Sequence, residues 1–237
     1  MTRHSARLSL SLTGMARRLI DLSHEISDGL ITYPGLPAPQ IDEYLTREAS
    51  RARYAPGTEF SIGRITMIAN TGTYLDTPFH RFADGFDLTG LKLEQLVDLD
   101  GVLVRVVGAS ERAIGIDRFD GQDVKGKAVL VHTGWDRNWA TPEYGVGHPF
   151  LTRDAAGWLA DNGAALVGID SLNIDDGADG ERPAHTILLR AGIPIVEHLT
   201  GLDQLPRDGF HFSAVPARVR GMGTWPVRAF ATTGDDR

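Results

Sequence analysis

Apolar residues along the chain gather into short, β-branched runs separated by polar, glycine-rich stretches. The runs are "RLIDLS" (18–23), "RITMIA" (64–69), "VLVRVV" (102–107), "AVLVH" (128–132), "ALVGID" (165–170), "IPIVE" (193–197) and "FSAVPARVRG" (212–221). Their length and Val/Ile content predict strands. Helical signals are fewer. "LKLEQLVD" (91–98) carries Leu91, Leu93, Leu96 and Val97 on roughly one face, which predicts a short helix. "TRDAAGWLADNG" opens at Thr152, a good cap, and stops at Gly163. "PAHTILLRAG" has Pro183 in its first turn and ends at Gly192. Strands outnumber helices, and helix–strand units cluster in the second half. The pattern reads as one mixed α/β domain with a central β-sheet.

Composition narrows the function. With 237 residues, 42% of them hydrophobic and 23% charged, the chain can bury an ordinary globular core. A net charge of −7 argues against nucleic acid or an anionic membrane surface as partner. There is no cysteine, so disulfides, thiolate metal sites and cysteine nucleophiles are excluded. No apolar run approaches the ~20 residues that cross a bilayer. The first residues lack the long apolar segment of a signal peptide. Residues 1–18 read as an N-terminal arm before a domain over 19–237, with either Met1 or Met15 as start. The expectation is a cytoplasmic protein. No G-x-S-x-G elbow, phosphate-binding loop or dinucleotide fingerprint is present.

Chemistry is left to His, Asp and Glu. In "NTGTYLDTPFH" (70–80), Gly72 frees the backbone to turn and Thr77, before Pro78, is biased to extended conformation. Tyr74 and Asp76 then face the same side, and His80 can return to their cavity. A loop-capping aspartate and a surface histidine would fit the local composition as well. In "PAHTILLRAGIPIVEH" a helix from about Ala184 to Arg190 turns at Gly192 and returns as a strand ending at Glu197. At ~1.5 Å per helical and ~3.3 Å per strand residue the two arms match in length, so His185 and Glu197 can meet at one end. Taken alone, a satisfied half-buried histidine and a strand-end charge would fit this pair as well. A helix N-terminus disfavours imidazolium, which would keep His185 neutral and able to ligate.

With those residues in view, the chain resembles the cyclase-like metal-dependent hydrolases that include bacterial kynurenine formamidase and isatin hydrolase. Their signature H-x-G-T-H-x-D-x-P-x-H is met by Asn70 to His80, with Asn70 and Tyr74 where the first two histidines would stand. "DLSHEISDGLITYPGLP" (21–37), "HTGWD" (132–136), "GIDSLNID" (168–175), "HTILLRAGIPIVEHL" (185–199) and "GTWPVRAFA" (223–231) are similar to further family segments. The resemblance implies a swivelling β/β/α-like cyclase fold, at least a dimer (homodimer or homotetramer), and a small-molecule substrate. It implies that Asp76, His185 and Glu197 are metal ligands and that His80 is the general acid/base. Asn70, a hard neutral donor, is at best a weak ligand, and Tyr74 at an ordinary pKa of ~10 is a poor one.

A site reduced to one divalent ion, manganese or zinc, follows from that substitution. Tyr74 is expected to donate to the oxyanion on the attacked carbonyl. His24, Tyr33, Trp135 and Trp225, in family-like segments at strand ends, are expected around a flat aryl amide, lactam or lactone. Two other readings stay open. One is a family member that binds a small molecule without turnover, and the other is a cyclase or lyase using the same metal and His80.

Overall fold

The structure is a computed structural model and describes residues 17–234. Its strands are β1 (Arg18–Asp21), β2 (Gln40–Leu45), β3 (Ile62–Thr66), β4 (Tyr74–Asp76), β5 (Leu99–Arg105), β6 (Ala113–Ile114), β7 (Ala128–His132), β8 (Phe150–Leu151), β9 (Leu166–Ile169), β10 (Ile195–Glu197), β11 (Phe210–Ser213), β12 (Thr224–Pro226) and β13 (Phe230–Thr233). The α-helices are α1 (Arg47–Ser50), α2 (Pro78–Arg81), α3 (Arg153–Asp161) and α4 (Pro183–Arg190). Nine strands form one sheet in the order β1-β13-β11-β5-β7-β9-β10-β4-β12. The centre, β5-β7-β9-β10, is parallel, and every other neighbour is antiparallel. Parallel neighbours need crossovers. Here α3 lies between β7 and β9 in the chain, and α4 between β9 and β10.

Both faces of the centre are buried, and side chains sort between them with period two. Val102, Val104, Val129, Val131, Val167 and Ile169 pack with Leu159 of α3 and Leu188 of α4 in one cluster. Leu103, Leu130, Leu166 and Val196 point the other way, into a cluster with Phe210 and Phe212 of β11. This is the mixed α/β domain with a central sheet that the pattern of runs predicts. The caps also agree with it. Thr152 Oγ1 accepts from Ala155 N at 3.2 Å, and Gly163 carries the positive φ, +74°, that closes α3.

Several expectations are corrected. "LKLEQLVD" forms only a single 3₁₀ turn, Leu93–Gln95. Leu96 is buried in the core and Leu91 packs against it, but Leu93 is 63% and Val97 42% exposed, so the four apolar residues do not share one buried helical face. "RITMIA" contributes to a ribbon of β2 and β3 that pair only with each other, and β3 is exposed throughout. The run after Phe212 stops as a strand at Ser213, where Ala214 N leaves the ladder and donates to Leu96 O at 2.9 Å. The closing "GTWPVRAFA" splits at Pro226 into β12 and β13, which lie far apart in the sheet order. The first described strand begins at Arg18, and residues 1–16 of the expected arm lie outside the described residues.

Gly101 stands directly opposite Phe210 across the β5–β11 pair, and a Cβ there would meet the Phe210 ring at 2.0 Å. The ring fills the place of the missing side chain. Gly101→Ala is therefore expected to lower stability by about 1–3 kcal/mol through overpacking, read as a shift of the urea midpoint without a change of slope.

Candidate metal centre

Three short strands set the site. β4 lies between β10 and β12, with Tyr74 directly opposite Glu197 on one side and Asp76 directly opposite Thr224 on the other. Tyr74 and Asp76 share a face because they are two residues apart. Asp76 is wholly buried. Its Oδ1 accepts from the Thr224 hydroxyl, while its Oδ2 has no hydrogen-bond partner. Burial works against its charge, yet His80, His185 and Thr224 together hold the carboxyl below its ordinary range.

His185 lies in the first turn of α4. The helix begins after Arg182, a non-glycine residue at φ +50°, which offers no side-chain cap. Asp175 supplies the cap from the preceding loop, accepting from Ala184 N at 2.6 Å and from His185 N at 3.0 Å. The same carboxylate holds His185 Nδ1 at 2.7 Å, which turns Nε2 toward Asp76 and Glu197. His185 Nε2 is 3.7 Å from Asp76 Oδ2 and 3.7 Å from Glu197 Oε1. Those gaps are too long for hydrogen bonds, and they lie near the ~3.4 Å that separates ligands on bonds of ~2.1 Å to one tetrahedral ion. A buried carboxylate oxygen without a partner and an imidazole nitrogen aimed at it suit a divalent cation. His80 extends the cluster, since Asp76, His80 and His185 each offer a ligand atom within 4.8 Å of the others. His80 sits on α2 with its side chain 35% exposed, its ring centre 5.8 Å from that of His185.

The charge state of His185 differs from the expectation. A helix N-terminus amounts to about half a charge, whereas Glu197, Asp175 and Asp76 surround the ring. Burial opposes the imidazolium, but the three carboxylates outweigh it and push the pKa up to about 10. Glu197 is pushed up to about 7, mainly by burial. Three carboxylates face one imidazole, and the proton held on His185 offsets part of that negative charge.

Asn70 and Tyr74 occupy the place expected for two imidazoles. The Tyr74 hydroxyl donates to Glu197 Oε2 at 2.7 Å and lies within hydrogen-bonding reach of Asn70. Its oxygen is 3.2 Å from Nε2 of His198, whose Nδ1 is 2.8 Å from the Tyr144 hydroxyl. Burial, with His24 adding to it, drives the His198 pKa down to about 3, so the ring is neutral with one N–H. The bonds then run one way, from Tyr144 to His198 to Tyr74 to Glu197. The Tyr74 proton expected for an oxyanion is thus given to Glu197. Burial and the Glu197 and Asp76 charges raise the Tyr74 pKa well above its ordinary value, which keeps it a phenol and no ligand.

A cavity of about 340 Å³ opens on this cluster, lined by Tyr33, Asn70, Tyr74, His80, Asn173, His185 and Glu197, with Leu36, Arg81 and Arg182. Of the four side chains expected around a substrate, Tyr33 is there and the others are elsewhere. His24 stacks on Trp139 with ring centres 3.9 Å apart. Trp135 gives its indole N–H to Tyr144 O at 3.0 Å and lines a different cavity. Trp225 alternates with Thr224 on β12 and packs on the hydrophobic cluster behind it. Asn173, Arg182, Asp175 and Thr224 were not foreseen. Their roles come from contacts across the fold, although Asn173 and Asp175 fall within "GIDSLNID" and Thr224 within "GTWPVRAFA", segments already singled out.

Comparison with known proteins agrees with this geometry. The sequence profile of the Cyclase family matches residues 20–176. Kynurenine formamidase of Geobacillus thermodenitrificans is 31% identical over 217 residues, 89% of this chain and 95% of that protein. A solved structure described as a potential metal-dependent hydrolase with cyclase activity superposes with a TM-score of 0.75 at 27% identity, over 92% of this chain and 98% of that one. Isatin hydrolase A from Ralstonia solanacearum has a TM-score of 0.77 at 21% identity, over 92% of each chain, a likeness of fold.

The raised pKa of His185 has a measurable consequence. Its ordinary value is 6.5 and its value here about 10, so the stabilisation it brings is complete below pH 6.5 and is lost as pH rises through 10. Metal-free protein is expected to lose thermal stability steadily over that window. Saturating manganese or zinc, which replaces the proton, should flatten the profile. Melting curves from pH 6 to 10 with chelator and with metal check both.

Proposed function

The chain belongs to the Cyclase family, and from that premise we propose that it is a metal-dependent hydrolase of small cyclic or aryl amides, lactams or lactones, opening a C–N or ester bond. The observation that carries the reading is the bare, buried Oδ2 of Asp76 facing His185 Nε2 beside a cavity of about 340 Å³. That volume suits one small aromatic substrate. The similarity to a kynurenine formamidase supports an amide as the bond broken.

Asp76, His185 and Glu197 would hold one divalent ion, manganese or zinc, their oxygen and nitrogen donors suiting either. When bound, such an ion makes hydroxide available near neutral pH and polarises a carbonyl. The protein's own groups do the rest. His80, half exposed at the cavity, takes a proton from the attacking water and returns it to the leaving nitrogen or oxygen. Tyr74 and His198 hold Glu197 in place and fill the position of a second ion, so the site is mononuclear. Asn173 accepts from Asp175 N through its Oδ1 at 2.9 Å, leaving its amide N–H groups for the cavity and for a developing oxyanion. A second reading, binding without turnover, is favoured by the loss of two imidazoles at Asn70 and Tyr74. Metal content decides between them.

Elemental analysis after loading with manganese or zinc is expected to give about one equivalent, absent in Glu197→Ala. His80→Ala should keep the metal and lose roughly 10²–10⁴-fold in turnover of an aryl formamide. His185→Ala should lose both, and full metal in that variant would disprove the ligand set. No metal under any loading of a folded protein would leave the binding reading.

The oligomer is part of the proposal. The β2–β3 ribbon leaves Ile41 and Ile65, directly opposite each other, 44% and 47% exposed. We propose that a second copy covers them in a homodimer or homotetramer. Sedimentation is expected to show the oligomer, with Ile41→Glu combined with Ile65→Glu shifting it to monomer. A monomeric wild type would overturn this.

A further inference from the structure

We propose that Thr224 is a positioning residue that locks His80 in the tautomer with the proton on Nδ1, leaving Nε2 as the nitrogen that accepts a proton. The start of β12 is clamped to the first turn of α2. Gly223 O accepts from Thr77 N at 2.7 Å and from Thr77 Oγ1 at 3.0 Å. The approach needs glycine, because a Cβ at position 223 would stand 2.3 Å from His80 N. Held there, the Thr224 hydroxyl touches two groups at once, Asp76 Oδ1 and His80 Nδ1, the latter at 2.8 Å.

Proton counting does the rest. A hydroxyl has one hydrogen and two lone pairs. A carboxylate oxygen accepts, and the Thr224 hydroxyl donates to Asp76 Oδ1. The Thr224 hydrogen therefore belongs to Asp76 Oδ1, and the hydroxyl can meet His80 only as an acceptor. His80 Nδ1 must bring the hydrogen. A neutral imidazole has one N–H, so Nε2 keeps its lone pair. When Nε2 gains a proton the Nδ1–H···Oγ1 bond is unchanged, and nothing rearranges during transfer. Asp76 thereby sets the state of His80 through one intervening hydroxyl, with the two groups 3.8 Å apart and not hydrogen-bonded to each other.

The consequence for catalysis rests on the hydrolase reading, whereas the tautomer does not, and the test separates them. Long-range ¹H–¹⁵N correlation spectra of ¹⁵N-histidine-labelled protein, metal-free and zinc-loaded, report which ring nitrogen of His80 is protonated; His80→Asn assigns the signals. Wild type should show the Nδ1–H form. Thr224→Val, isosteric without the hydroxyl, should show a mixture or the Nε2–H form, and Thr224→Ser should restore Nδ1–H. With an aryl formamide, Thr224→Val should lose roughly tenfold or more in kcat at unchanged KM, with Thr224→Ser recovering most of it. A wild type with Nε2–H, or a Thr224→Val spectrum identical to wild type, overturns the proposal even if kcat falls. Should Thr224→Val not fold, Thr224→Ala and the wild-type spectrum decide. A wild type that shows Nδ1–H and turns over none of the substrates refutes the hydrolase reading and leaves the lock standing.

Discussion

Three buried carboxylates, Asp76, Asp175 and Glu197, close on the single imidazole of His185. Burying that much like charge is costly unless each oxygen is answered, and most of the surrounding structure supplies the answers. Asp175 satisfies itself on the bare N–H groups of α4. Glu197 takes the Tyr74 hydroxyl on one oxygen and Ile174 N, at 2.7 Å, on the other. Asp76 takes Thr224 on one oxygen and nothing on the second. The unanswered oxygen and the raised His185 pKa have the same origin, a local deficit of positive charge that a divalent cation would remove.

How much of this was legible in the sequence depends on how local the cause is. β5, β7, β9 and β10 were readable because strands buried on both faces become continuous apolar runs. α3 was readable from Thr152 and Gly163, and α4 from Pro183 and Gly192, since caps and breakers act within a few residues. The meeting of His185 with Glu197 followed from the lengths of one helix and one strand. Strand order did not. Nothing local says that β4 pairs with both β10 and β12, and that pairing alone brings Thr224 to Asp76 across 148 positions. Asp175 was hidden for the same reason, as its capping partner lies across a loop. The tryptophans misled because strand-end aromatics look alike in sequence whether they face a cavity or the core.

The substitution of two motif histidines reads differently once the geometry is known. Tyr74 and Asn70 are not gaps in a metal site. Tyr74 is fully buried, its oxygen bonded to Glu197 and His198, and the latter to Tyr144. Tyr144, His198 and Tyr74 form a neutral hydrogen-bonded chain that ends on Glu197, at modest electrostatic cost. His198 keeps φ +58° to make its two bonds, a backbone strain that its neighbours must hold in place.

β12, the strand that carries Thr224, is the last in the sheet. An open strand edge is a template on which another chain can polymerise. Pro226 closes β12 with a residue that has no amide hydrogen to offer, and the strand is only three residues long with none of them exposed. The border of the sheet nearest the acidic cluster is therefore a poor template for aggregation.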